Sequence, residues 1–288
     1  MLIFMNIVYC IDKNYNHQCY TSIYSLINNS KTLENIFILH KDPETFDKNK
    51  IKNLTNQNLL IVNFNENLFF KKSLNYRFKN SHLSIATYFR LFLASIIPKD
   101  VENIVYLDAD VFFIKEFDIP YKEVFKEMKN NNFKIGGKTA GDTKGNAELF
   151  ERLNLKNGKY FNAGVLFINL KEWRDSKIES KFTELMYSSD FEYHDQDVLN
   201  KYYDGNYFEI PDELNYFIKI YEEYQDVVDK YIDNEAIVLH YVGESKPWGI
   251  KNFREKNSSY YQEIYFELFG LKHLHNNLFL NYLLNKIY

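Results

Sequence analysis

Cysteine is scarce in this 288-residue chain, which has two, Cys10 and Cys19. Two thiols do not make a disulfide framework, so the counts suit a reducing, cytoplasmic compartment. Glycine (10) and proline (5) are also sparse, and no linker, internal repeat or low-complexity segment divides the chain. No apolar run approaches the ~20 residues that span a bilayer. Met1 to Ile11 is apolar but lacks a basic region and a small-residue cleavage site, so it reads as a first strand and not as a signal peptide. Positive charge is not in excess either. Lys plus Arg is 35 against 39 Asp plus Glu, a net charge of −4, which counts against nucleic acid as a partner. What the chain does have is apolar matter: 45% hydrophobic and 18% aromatic residues. That is enough for one large core, or a domain with an appendage. The aromatics read as core packing and compositional bias.

Short apolar runs alternate with helix-period segments. Asn6–Ile11, Asn35–Leu39, Leu59–Phe64, Asn103–Leu107, Gly164–Leu170 and Ala236–His240 read as buried strands. Tyr20–Ile27, Pro43–Leu54, Ser84–Ile97 (which stops before Pro98), a segment from Glu172, and His194–Tyr203 read as helices. The alternation predicts an α/β fold with a mostly parallel sheet flanked by helices. Gly136, Gly137, Gly141 and Gly145 form the densest glycine cluster and suggest a flexible loop. From Phe253 onward the chain turns helical and aromatic. The expected division is a domain over 1–250 and a small C-terminal helical extension over 251–288.

Five features carry chemistry. In Ile104–Val111 a buried strand delivers Asp108 and Asp110 at its C-terminal end, where open α/β sheets bind ligands. If strand geometry persists, the two acids share a face, and hard divalent cations take such oxygens. A solvated turn is the bland alternative; the preceding apolar strand favours a metal. His240 ends another buried strand and offers an imidazole nitrogen suited to Mn²⁺ over Ca²⁺. Taken alone, a packed histidine explains it equally well. Beyond it, Gly243 permits close backbone approach and Lys246 offers charge to a phosphate. Asn162 and its neighbours place polar groups just before the strand at Gly164. His194-Asp195-Gln196-Asp197 opens a helix, where an N-terminal cap accounts for one acid but not for Gln196 between two. Arg90, within the helix preceding Asp108, has the planar fork that suits phosphate or sugar hydroxyls, although most helical arginines are simply exposed. His17, His40, His273 and His275 read as surface or packing residues; His82 stands apart because it precedes the Arg90 helix.

Six stretches, NIVYCIDKNY at 6–15, SHLSIATYFRL at 81–91, IVYLDADV at 104–111, YFNAGVLFINLKEW at 160–173, HDQDVLN at 194–200 and HYVGESKPW at 240–248, occur in an order that resembles family 8 of the retaining glycosyltransferases, the lipooligosaccharide galactosyltransferase and glycogenin group. The resemblance covers residues 6–248. It implies a GT-A fold, a UDP-sugar donor and Mn²⁺, with Mg²⁺ as the alternative. By position it implies Asp108, Asp110 and His240 as metal ligands, Asp12, Asn14 and Tyr15 as uridine contacts, and Gly243 and Lys246 as diphosphate contacts. Arg90, Asn162, Asp195 and Gln196 would line the donor sugar, with Asp195 and Gln196 the catalytic candidates. Residues 136–146 match poorly, and 249–288 carry no family motif.

The implied reaction moves glucose or galactose, with retention, onto an acceptor hydroxyl of a surface glycan (lipopolysaccharide-like) or a lipid-linked acceptor. Rival readings are a phosphatase with an Asp-x-Asp after its first strand, a non-catalytic UDP-sugar-binding module, and a self-glucosylating primer. For 251–288, a helical cap is preferred to a peripheral contact with the inner membrane face.

Overall fold

The structure is a computed structural model, and it describes residues 4–51, 57–65, 85–142, 144–188, 191–221 and 224–274. Its strands are β1 (Met5–Ile11), β2 (Leu33–His40), β3 (Asn58–Asn63), β4 (Asn103–Leu107), β5 (Val111–Phe113), β6 (Ile135–Gly137), β7 (Thr139–Asp142), β8 (Lys159–Phe161), β9 (Val165–Asn169), β10 (Phe208–Glu209), β11 (Tyr216–Ile218) and β12 (Val238–Tyr241). The α-helices are α1 (Asn16–Asn28), α2 (Leu93–Ile96), α3 (Asp118–Asn130), α4 (Ala147–Leu153), α5 (Leu170–Asp175), α6 (Ile178–Ser188), α7 (His194–Tyr203), α8 (Gln225–Asn234) and α9 (Ser259–Phe269).

β1 shows why the main sheet forms. Its side chains alternate between the two faces: Val8 and Cys10 enter one apolar cluster, Ile7, Tyr9 and Ile11 the other. A strand buried on both faces must be largely apolar, as this one is from Ile7 to Ile11. The main sheet has seven strands in the order β10-β6-β9-β4-β1-β2-β3. The pairs β1–β2, β1–β4, β2–β3 and β10–β6 are parallel, whereas β9 runs antiparallel to both β4 and β6. The sheet is therefore mixed and mostly parallel, as expected. A three-stranded sheet, β11-β12-β5, stands beside it over a third cluster, to which α9 contributes Tyr261 and Tyr265. Among the described residues, no helix is long and apolar enough to cross a membrane.

Several sequence expectations are corrected. Residues 85–92 form a 3-10 helix that passes into the single turn α2; the expected start at Ser84, like His82, lies outside the described residues. Over 43–51 there are two short 3-10 turns and no continuous helix; Asp47 accepts a hydrogen bond from the Asn49 amide and starts a new turn there. Residues 52–54 lie outside the described residues. The glycine cluster is mostly strand, since β6 and β7 carry Gly136, Gly137 and Gly141, and only Gly145 lies in a turn. Gly136 and Gly137 are there because of crowding: an added Cβ would meet Met128 Sδ at 3.1 Å and Phe161 Cδ2 at 3.2 Å, respectively. Helix α1 begins at Asn16, four residues earlier than read, because Asp12 caps a 3-10 turn at Lys13–Tyr15 that feeds straight into it. The helix after Phe253 is α9, and 275–288 lie outside the described residues.

Candidate active site

β4 ends at Leu107, and the chain then turns. The Asp108 amide still donates to the Gly164 carbonyl at 2.8 Å, extending the β4–β9 ladder by one residue, while the Val111 amide donates back to the Asp108 carbonyl at 3.3 Å. Strand geometry does not persist from Asp108 to Asp110, so a turn, and not the alternation of a strand, brings the two acids together. The chain crosses there to the smaller sheet. Val111 pairs with His240 across β5 and β12, and the Tyr241 amide donates to the Asp110 carbonyl at 3.1 Å. The two aspartates and His240 thus meet where the sheets part, and one donor atom from each lies within 4.8 Å of the others.

Each carboxylate has one oxygen held and one presented. Asp108 Oδ1 accepts from Arg90 Nη2 at 2.8 Å and from the Tyr106 hydroxyl at 2.5 Å. Asp110 Oδ2 accepts from Lys246 Nζ at 2.7 Å. Asp110 Oδ1 is buried and accepts no hydrogen bond; His240 Nε2 lies 3.4 Å from it. Burial pushes the Asp110 carboxyl up, but the charge of Lys246, joined by that of His240 whenever the ring is protonated, outweighs it and holds the group well below the usual carboxylate range. Gly164 keeps the space open. A Cβ there would sit 2.2 Å from His240 Cε1, 2.8 Å from Nε2 and 3.0 Å from Asp108 Oδ2. An orphaned buried oxygen, a cradle that a methyl group would fill and a donor set of two carboxylates and one imidazole all fit a divalent cation.

Arg90 is the hub next to this group. It is buried, against the usual habit of helical arginines, and its guanidinium lies 4.1 Å from the centre of the Tyr106 ring. Nε donates to the Thr87 carbonyl at 3.0 Å and lies 2.9 Å from Asp195 Oδ2, while Nη1 donates to the Ala163 carbonyl at 2.5 Å. Asp195 Oδ1 accepts from the Thr87 hydroxyl. Burial pushes the Asp195 carboxyl up to about 6, although Arg90 and Thr87 pull it down; the charge of Asp108 adds to the rise. Burial opposes the charge on Arg90, and Asp108 and Asp195 prevail to keep it cationic. When all three acids are ionised and His240 is neutral, Asp108, Asp110 and Asp195 exceed Arg90 and Lys246 by one negative charge, which favours a cation here.

Helix α7 supplies the opposite wall. Gln196 Oε1 accepts from the Ala163 amide at 2.8 Å and from Asn162 Nδ2 at 3.4 Å, and its Nε2 donates to the Tyr160 hydroxyl at 3.1 Å. Tyr160 donates in turn to Asp197 at 2.7 Å, and Asp197 is fully buried against Arg152 and the Tyr193 amide. Asp197 therefore does more than cap a helix. Asn162, Asp195, Gln196, Arg90, Asp108, Asp110, His240 and Lys246 are all joined by these contacts or through residues between them.

The remaining expected residues lie at the margin. Asp12 accepts from the Asn14 amide at 2.9 Å; Asn14 is exposed. Tyr15 is pushed up to about 12, first by burial and then by Asp110, Asp108 and Asp12, which places it close to the acids. Gly243 follows β12 with φ +80°, and a Cβ there would meet nothing within 4 Å; the residue answers to backbone conformation, not to crowding. His17, His40 and His273 are engaged by Tyr265, Asn16 and Tyr261 respectively, and His275 lies outside the described residues. Sequence reading missed Gly164, Tyr160, Asn215, Thr87 and Arg152. Gly164, Tyr160 and Thr87 stand inside quoted motifs and were findable there; Asn215 had no signal beyond an ordinary turn.

Comparison with known proteins bears on the family and the fold. The chain is 28% identical over 267 residues to a lipopolysaccharide 1,2-glucosyltransferase of Escherichia coli (strain K12), covering 85% of this chain and 72% of that one. It is 28% identical over 257 residues to a lipopolysaccharide 1,3-galactosyltransferase of Salmonella typhimurium (strain LT2), covering 84% and 72%. The crystal structure of the galactosyltransferase LgtC in complex with donor and acceptor sugar analogues superimposes with a TM-score of 0.70 at 22% identity, over 92% of this chain and 96% of that one. That likeness shows a shared GT-A fold. The model of glycosyl transferase family 8 matches residues 6–251, and the chain belongs to that family.

Proposed function

We propose that this protein is a retaining hexosyltransferase that moves glucose or galactose from a UDP-sugar to a hydroxyl of a lipopolysaccharide-like surface glycan, with Mn²⁺, or Mg²⁺, held by Asp108, Asp110 and His240. The observation that carries the reading is the meeting of those three donor groups with Arg90, Asp195 and Gln196 in one connected cluster. The names of the relatives support the donor and acceptor classes. When bound, the cation supplies charge to offset the diphosphate leaving group. Lys246, whose Nζ now rests on Asp110 Oδ2 and the Tyr241 carbonyl, adds positive charge where the leaving group develops its own. Asp12, Asn14 and Tyr15 take the uridine, Gly243 lets the backbone approach the diphosphate, and Arg90, Asn162, Asp195 and Gln196 position the sugar. Double displacement would need an available carboxylate nucleophile. Both Asp195 oxygens are already engaged by Thr87 and Arg90, and the Gln196 amide oxygen is neutral. The reading therefore favours attack from the face of the departing diphosphate. Residues 1–250 form the catalytic unit in this proposal, and 251–288 cap it.

The test is a hydrolysis and transfer screen across UDP-sugars with Mn²⁺ or Mg²⁺. Turnover of UDP-glucose or UDP-galactose is expected, lost on chelation and in Asp110→Asn. UDP binding without turnover of any donor would leave a binding module. A mass gain on the protein itself would indicate self-glycosylation, and a β-linked product would overturn retention.

A further inference from the structure

Asn215 is fully buried in the bend between the 3-10 turn Asp212–Leu214 and β11. It connects two parts of the site. The Gly164 amide donates to Asn162 Oδ1 at 2.9 Å. A backbone amide can only donate, so that atom is the Asn162 oxygen and its side chain has one orientation. Asn215 Nδ2 lies 3.2 Å from the same oxygen. Flipping the Asn215 amide would set two carbonyl oxygens against each other, so Nδ2 stays there as donor. Asn215 Oδ1 is thereby turned to His240 Nδ1, 3.0 Å away. An amide oxygen carries no proton, so a neutral imidazole here must carry its proton on Nδ1. Nε2 of that neutral ring keeps its lone pair, and it is Nε2 that faces the buried, unbonded Asp110 Oδ1.

We propose that Asn215 is a positioning residue that fixes His240 in its Nδ1–H tautomer, with the Gly164 amide as the anchor of the chain Gly164–Asn162–Asn215–His240. The consequence for a cation rests on the metal reading above, because a histidine ligand must offer a bare nitrogen and usually donates its other N–H to a fixed acceptor. The same chain gives Gly164 two tasks: its missing side chain leaves space for the site, and its amide decides which imidazole nitrogen looks into that space.

The tautomer can be read without any metal. The full chain, labelled with ¹⁵N-histidine, is recorded by long-range ¹H–¹⁵N correlation above the ordinary range of imidazole titration, with His240 assigned by its loss in His240→Gln. The Nδ1–H pattern is expected in the wild type, and an Nε2–H pattern there would overturn the proposal without recourse to a variant. Asn215→Leu is expected to lose the Nδ1–H preference and to weaken Mn²⁺ binding, titrated by calorimetry with UDP present, by about 10–100-fold. Asn215→Asp still accepts from Nδ1, so it is expected to keep the tautomer, while its second oxygen faces Asn162 Oδ1 and lowers stability. A folded Asn215→Leu protein with the wild-type tautomer and affinity would also overturn the proposal. A wild type with the Nδ1–H pattern that binds neither Mn²⁺ nor Mg²⁺ would leave the relay standing and remove the metal reading instead.

Discussion

The floor and the rim of the site are built differently. On the floor every polar atom of Arg90 and Gln196 is engaged by protein. On the rim, Asn14 is exposed and Asp12 is occupied with its own turn. Preorganised charge is most useful where bonds change; a nucleotide base can be met by groups that settle on binding. The floor should therefore be intolerant of change and the rim forgiving.

Arg90→Met would strain that contrast most. It leaves Asp108 and Asp195 without their shared cation in a buried setting, which costs about 3–5 kcal/mol when a buried pair is broken. Urea unfolding at neutral pH would measure it, and a loss below 1 kcal/mol would mean that the floor is not electrostatically coupled. The second test is pH. The folded Asp195 carboxyl titrates at about 6, above the ordinary aspartate value of about 3.9. The folded chain thus takes up this proton first. The stability linked to Asp195 is full below about pH 4 and fades as pH rises through 6, by on the order of 3 kcal/mol. Asp195→Asn should flatten the unfolding free energy between those values; an unchanged slope would place the titration elsewhere.

Gly164→Ala comes next. Its methyl group would overlap His240, and overpacking costs about 1–3 kcal/mol. Loss of Mn²⁺ binding is expected to exceed that loss of stability, as calorimetry and thermal unfolding of the same sample would show. Asn14→Ala should matter least, within about 0.5 kcal/mol of wild-type stability, with UDP affinity lowered only a few-fold. A change as large as that of Gly164→Ala would erase the distinction between floor and rim.

The same contrast explains what the sequence disclosed. Strands buried on both faces, such as β1 and β4, are apolar after their first polar residue, so Asp108 stood out as an acid at the end of one. Arg90 was harder to place. Apolar spacing of three and four residues fits α and 3-10 helices alike, and residues 85–92 adopt the latter. Gly136 and Gly137 misled because glycine also serves close packing, and here it does so within a strand. A cap accounted for one of the two acids at 195 and 197 without saying which, since the reach of Asp197 to Tyr160 and Arg152 depends on contacts 37 and 45 residues away in the chain. Asn215 gave no local sign at all, because its task is defined by His240 on another strand.

One feature of the fold carries over into how the protein can be measured. Asp108 belongs to the seven-stranded sheet, while Asp110 is stitched to the three-stranded one that carries His240. Any ligand that grips both sides fastens two sheets, and the fold gains what the ligand loses in freedom to leave. At a free concentration 100 times its dissociation constant, such a ligand adds about 2.7 kcal/mol to the folded state. A melting curve then ranks cations and nucleotides directly, with no acceptor in hand.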